Sequence, residues 1–504
     1  MRVADAIRKV RALEQKTRPE PPELEAALER RWSQLPEAIR GPNQMLGRRS
    51  TGCEGTHGVF PRCDLACTPC YHSRDSNRVR TDGDHTDREI ASQMKNAREI
   101  RGPGVHAQLI GGEVTLLGPE AHAGALRQMI EHDRKPMSMT HGDFDYEYLE
   151  ALALDPESGR PRFSHLSFAG HFDTTMHGRR GIKRARSETE LNPYRRRFCE
   201  MFARLEREHG VTSYLAHNMT VTPRNVDQIP ALIRDCRDMG FRMFSFQPAA
   251  QVGNPNRWKG KLRAQTDDEI WERIERGAGA RLHYRAMQWG DPRCNRTAHG
   301  GFSGDRYWTL FDQDDPRDMR MRDLFMAAAG GMDFASSKPL LFTRLLRALA
   351  REPRALFAAI PFAVRLAGRM GGPGRIFRRR PTAVTMVMHN FMDAAVVKPA
   401  WDGLERGEIS DEPEVRAAQE RLRGCVYGMS HPEDGRMVPA CVQHAVLDPA
   451  ENLALARLLP LREAGSDAGA GDRGQAGQRE QAGERQEVAA ATGSRNPLDE
   501  VNHA

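Results

Sequence analysis

CDLACTPCYHS, residues 63–73, carries Cys63, Cys67 and Cys70, with three residues between the first pair and two between the second. Clustered cysteines in a loop commonly hold a metal, and the candidate metals differ in how many ligands they take. Structural zinc takes four closed ligands, usually as two cysteine pairs. An electron-carrying iron-sulfur cubane takes four thiolates, one per iron. No fourth cysteine lies in the run, so a cubane on these three would leave one iron without a protein thiolate. Catalytic metals keep such an open position for a small ligand.

Working outward, the 504 residues carry a formal charge of +7, and arginine spread along the chain supplies much of it. No basic run is interleaved with aromatics, which argues against nucleic acid as a partner. The opening MRVADAIRKVRALEQK lacks an apolar signal region, and the cysteine count of nine is odd. A reduced, cytoplasmic setting is therefore expected, where clustered cysteines bind metal rather than pair. No apolar run approaches the roughly 18 to 20 residues of a membrane span.

Short apolar runs at 105–110 (VHAQLI), 163–169 (FSHLSFA), 213–221 (SYLAHNMTV) and 241–248 (FRMFSFQP) alternate with helical stretches such as NPYRRRFCEMFARLEREHG and VDQIPALIRDCRDMG. Strand and helix in alternation predict a parallel sheet or barrel, with the site at the C-terminal strand ends. The expected organisation is an N-terminal helical extension (1–50), a barrel core (51–290), a connecting segment (291–335), a basic amphipathic helical segment (336–380), a cysteine-containing C-terminal region (381–463) and a disordered tail (464–504) rich in Gly, Ala, Gln, Glu and Arg. Cys199 and Cys236 fall on apolar helix faces and are expected in the core. Glu433 and Asp434, between Pro432 and Gly435, are expected in a turn.

The cysteine triplet, followed by the GGE of IGGEVTLL, resembles the signature of the radical S-adenosylmethionine (radical SAM) superfamily. The resemblance covers about residues 55–255 and implies an α/β fold, a partial (β/α)6 TIM-like barrel. It implies that Cys63, Cys67 and Cys70 ligate a [4Fe-4S] cluster whose unique iron is chelated by SAM. It also implies that Gly111 and Gly112 let the backbone approach the methionine moiety, and that Glu113 accepts from its amino group. LSFAGHFDTTMHGRRG looks like the family's fourth-strand region, with Asp173 and His177 near the pocket, and HNMTVTPRNVDQIP offers Asn218 as a ribose or substrate contact. Pro69 stands where the family often has an aromatic residue, and Tyr71 follows the last cysteine instead. The resemblance implies no catalytic acid or base.

GCVYGMSHPEDGRMVPACVQH loosely resembles the C-terminal segment of tetraether-lipid-synthase-like members and, more distantly, auxiliary-cluster domains of peptide maturases. With GDPRCN, that implies a second iron-sulfur cluster on Cys294, Cys425 and Cys441, with Cys53 either a loop thiol or the fourth ligand. The implied activity is reductive cleavage of SAM to a 5′-deoxyadenosyl radical, with an electron from a flavodoxin or ferredoxin. That radical would then modify an unactivated carbon of an apolar, lipid-like substrate. A peptide maturase or methyltransferase with an auxiliary cluster is the alternative, and a non-catalytic electron carrier or sensor is the rival from another class. Residues 339–380 read either as basic helices lying peripherally on the inner membrane face or as a helical lid on the barrel.

Overall fold

The computed structural model describes Glu14 and residues 17–70, 74–253, 263–332 and 338–461. Tyr71, His72 and the tail expected to be disordered from 464 lie outside these residues. The expected alternation forms one curled, half-barrel sheet. In chain order its strands are β1 (Cys53–Gly55), β3 (His106–Leu109), β4 (Lys135–Thr140), β5 (His165–His171), β8 (Thr212–Val221), β9 (Met243–Pro248), β10 (Asn295–Ser303), β11 (Arg306–Thr309), β12 (Thr382–His389), β13 (Tyr427–His431) and β14 (Arg436–Pro439). The spatial order is β11-β10-β12-β9-β8-β5-β4-β3-β1-β13-β14, and β2 (Ala66–Cys67), β6 (Met176–Arg179) and β7 (Ile182–Arg184) form a separate small sheet.

The eight strands from β13 to β12 run parallel, with antiparallel strands at both edges. The sheet is therefore not confined to 51–290. Strand β12 pairs with β9, and β13 pairs with β1. Three strands within the expected separate C-terminal region, β12, β13 and β14, thus belong to the same sheet. A parallel strand needs only a neighbour and a crossover, and the crossover into β12 includes the whole helical segment.

Alternate residues of each strand take opposite faces. One row, including Leu109, Phe168, Leu215, Phe244 and Met386, packs in the main core. Helices cover that row: α2 (Gly83–Arg101), α3 (Pro119–Glu131), α4 (Tyr146–Ala153), α5 (Asn192–His209), α6 (Ile229–Cys236) and α7 (Asp267–Ala278). Helix α5 inserts Phe198, Phe202 and Leu205, and Cys199 and Cys236 are buried there, as expected. The opposite row contains Gln108, Met137, Met139, His171, Asn218 and Gln247, and faces the hollow of the half-barrel. A helix, α1 (Pro22–Gln34), forms in the N-terminal extension, and its Arg31 donates to the Cys425 carbonyl at 2.6 Å.

Candidate functional site

The Cys63–Cys70 loop follows β1 and is held from several sides. Gly112 N–H donates to the Phe60 carbonyl at 2.7 Å, and Glu113 N–H to the Arg62 carbonyl at 2.8 Å. Strand β2 pairs with β6, so Cys67 lies opposite Met176, and Thr68 N–H donates to the Thr175 carbonyl at 3.1 Å. All three cysteines are half-buried, and charge on Cys70 adds to the rise of both the Cys63 and the Cys67 thiol. Burial pushes Cys63 up to about 12, against a Leu65 N–H that donates to its sulfur. Burial likewise drives Cys67 well above the ordinary thiol value.

The glycines of the Gly-Gly-Glu turn face this loop. A Cβ on Gly112 would sit 2.0 Å from the Arg62 carbonyl oxygen, and one on Gly111 would sit 2.5 Å from the Phe60 ring. Their lack of side chains is used by the cysteine loop, which lies backbone to backbone on the turn. Glu113 is buried. Its Oε1 accepts from Thr115 N–H, Thr115 Oγ1 and Thr140 Oγ1, and its Oε2 accepts from His141 N–H at 2.8 Å. That leaves Oε2 with room for one further donor. His141 Nε2 lies 2.8 Å from Asp64 and 3.4 Å from Glu113, and their negative charges, working against burial, raise its pKa.

Asp173 lies beside Cys67 in charge, but its oxygens are occupied. Oδ1 accepts from Thr175 N–H and Oγ1, and Oδ2 accepts from Thr220 N–H at 2.7 Å and bonds His171 Nε2 at 2.5 Å. Burial alone would raise this carboxyl, but His171 and the other donors bring it down to about 2. A ligand would reach Asp173 only by displacing one of these donors, and in this structure its carboxylate braces His171. Asn218 is different. It is 94% buried opposite His171, and its side-chain amide makes no hydrogen bond among the described residues. Two polar atoms close by are fully buried without partners, Nη1 of Arg179 and Nδ1 of His177. Arg179 donates to the His141 carbonyl at 2.7 Å, and its charge acts on Cys67. Sequence reasoning did not single out Arg179, because the β6 pairing that brings it beneath the loop has no local signature.

These observations fit an anionic iron-sulfur group. The donor set is three thiols on one loop that feel one another's charge, and beside them lies a buried guanidinium with one nitrogen unpaired. Burial disfavours the Arg179 charge, Asp143 and Glu113 offset part of that cost, and thiolates close by would offset more.

Cys294, Cys425 and Cys441 also come together, although the first is 131 residues from the second. Their thiols act on one another's charge. Arg421 Nε donates to Cys294 Sγ at 3.1 Å, and Cys425 Sγ donates to the Tyr427 carbonyl at 3.0 Å. Cys53 on β1 neighbours Cys425. Glu433 and Asp434 form the expected turn, bonded to His431 and Arg436.

No protein-family model matches the chain, and no curated protein matches it. Among solved structures, SuiB of Streptococcus suis bound to the precursor peptide SuiA is 15% identical, with a TM-score of 0.30, over 44% of each chain. The chain thus spans less than half the length of SuiB. The enzyme anSMEcpe with bound AdoMet is 12% identical at a TM-score of 0.33, over 63% of this chain and 98% of that one. Its complex with AdoMet and the Cp18Cys peptide is 11% identical at 0.32, over 61% and 99%. These likenesses are distant, and the chemistry of the site rests on the residues above.

Proposed function

We propose that the chain is a radical SAM enzyme whose Cys63, Cys67 and Cys70 ligate a [4Fe-4S] cluster. The observation that supports this is the three-thiol loop seated on the Gly111-Gly112-Glu113 turn, above the buried Arg179. When bound, the cluster would supply an electron to AdoMet, and the resulting 5′-deoxyadenosyl radical would take a hydrogen atom from an unactivated carbon.

The chain's own residues then have distinct tasks. The Phe60–Arg62 backbone holds the turn against the loop. Glu113 offers Oε2 to a cationic amino group, an arrangement that favours a charge-assisted bond. Asn218 offers its unpaired amide to a hydroxyl or carbonyl, beside a His171 that Asp173 keeps oriented. Arg179 balances thiolate charge from below. The sheet and its helices exclude water from one side of the hollow.

We propose an apolar substrate. Met137, Met139 and Met243 line the same row as Asn218, and methionine gives an adaptable apolar wall. A flavodoxin or ferredoxin is the proposed electron donor. Cys294, Cys425 and Cys441 are proposed to hold a second iron-sulfur group, supported by their convergence and by the Arg421 donor on Cys294.

The test is anaerobic reconstitution with iron and sulfide, followed by measurement of 5′-deoxyadenosine released from AdoMet under dithionite. Release by the native chain, abolished in Cys63→Ala/Cys67→Ala/Cys70→Ala, supports the reading. Iron binding with no AdoMet cleavage would sink it in favour of an electron carrier.

A further inference from the structure

The helical segment between β11 and β12 is built the wrong way round for water. It comprises α9 (Lys338–Arg351), α10 (Arg354–Arg369) and α11 (Gly372–Arg378), and it packs on α8 (Pro316–Ala329). A surface helix ordinarily turns its apolar stripe inward and its charges outward. Helix α10 departs from this: Ala355 and Phe362 turn inward, but arginines turn inward with them and a second apolar stripe is left outside. Arg365 and Arg369 point into the protein, 2.9 and 2.5 Å from the fully buried carboxylate of Asp318 on α8. On another side of α10, Phe357, Ile360, Pro361 and Val364 follow one another at steps of three, one and three residues, which is a single helical stripe. Phe357 is 77% exposed, Ile360 66% and Val364 69%. Phe342 on α9 and Phe377 on α11 are 61% and 86% exposed. Of thirteen large apolar side chains exposed among the described residues, eight fall between Phe342 and Phe377, so they form a patch rather than scattered residues.

The charge around this patch selects what covers it. Residues 338–380 hold ten arginines and Lys338 against the single Glu352. Next to Phe377 opens a cleft of about 710 Å³ lined by Arg237, Arg375, Arg378 and Arg379, with Asp238 and Asp305. Arg375 is tied to Asp305, while Arg378, Arg379 and Arg380 extend into solvent. A second copy docked through this face would set the same positive excess against itself across a two-fold interface. Among the described residues no helix is long and apolar enough to cross a membrane, so insertion across one is not the alternative.

We propose that α9, α10 and α11 dock the protein on an anionic bilayer surface. The Phe, Leu, Ile and Val stripe enters the interfacial layer, while the arginines around it and in the cleft meet lipid phosphates. This is the pairing of apolar burial and phosphate attraction that holds interfacial helices. The proposal needs no metal centre and is independent of the cysteine-loop reading.

The experiment is flotation of the full chain with vesicles of phosphatidylcholine alone, and with vesicles of equal parts phosphatidylcholine and phosphatidylglycerol. The native chain is expected to float with the mixed vesicles and not with phosphatidylcholine. Phe357→Glu/Ile360→Glu and, separately, Arg378→Glu/Arg379→Glu should each weaken binding by about ten-fold or more. Both pairs are exposed, and each variant checks the other. Equal flotation with both vesicle types, or undiminished binding by either variant, would overturn the proposal. So would an oligomer in solution that Phe357→Glu/Ile360→Glu dissociates, since the face would then join two copies.

Discussion

At Asn218 and Asp173, two buried polar side chains on the same side of the sheet have opposite capacities. Asp173 has four donors for two oxygens, whereas the Asn218 amide has no partner among the described residues. Asn218→Ala is therefore expected to leave thermal stability nearly unchanged and to lower 5′-deoxyadenosine formation roughly ten-fold, about the worth of one buried hydrogen bond to a ligand. An equal loss of stability and activity would assign Asn218 to the fold alone. Gly112 makes the contrary case. Its Cβ would meet the Arg62 carbonyl at 2.0 Å, so Gly112→Ala must move one backbone or the other. A cost of roughly 1 to 3 kcal/mol is expected in denaturant unfolding, together with loss of iron from the cysteine loop. Iron retained at the native level in a destabilised variant would separate the turn from the loop.

At the level of elements, the last helix among the described residues, α12 (Asp448–Leu458), is fastened to the sheet by titratable side chains. His57 Nδ1 lies 3.0 Å from Glu451 on α12, its Nε2 bonds the Ser430 carbonyl at 2.8 Å, and its ring stacks on His431 at 4.2 Å. Burial pushes this imidazole down, but the Glu451 carboxylate more than reverses the effect and brings it up to about 9. A proton held more tightly in the folded chain stabilises it fully below the ordinary value of 6.5, and that stability is lost as pH rises through about 9. Unfolding followed across this window should show up to roughly 3 kcal/mol declining towards alkaline pH, and His57→Gln should flatten the decline. A native profile already flat there would contradict the ion pair. The same reasoning explains the orientation of α10. Hydrophobic periodicity makes it amphipathic, but Asp318 on α8 draws Arg365 and Arg369 inward, and the apolar stripe is left outside.

Across the whole molecule, the two cysteine triads differ in how they are assembled. Cys63, Cys67 and Cys70 lie in one loop, while Cys294, Cys425 and Cys441 meet only because β10 and β13 close the two flanks of one sheet. Iron per chain in Cys63→Ala/Cys67→Ala/Cys70→Ala should therefore fall without reaching zero, and Cys294→Ala/Cys425→Ala/Cys441→Ala should remove the remainder. A zero count in the first variant would leave the second triad as buried thiols. The strands at 106–109, 165–171, 212–221 and 243–248, and the helices between them, could be read from the sequence, because each is signalled by its own apolar periodicity. The loop at 63–70 and the turn at 111–113 were legible for the same reason, since spacing within a few residues limits what can sit together. The tertiary structure alone decided that β12 and β13 join the same sheet, that Arg179 lies beneath the cysteines, and that α10 turns its arginines inward. Those facts depend on which distant segment becomes a neighbour, and pairing across a sheet or a buried carboxylate leaves no periodic mark on the chain that receives it.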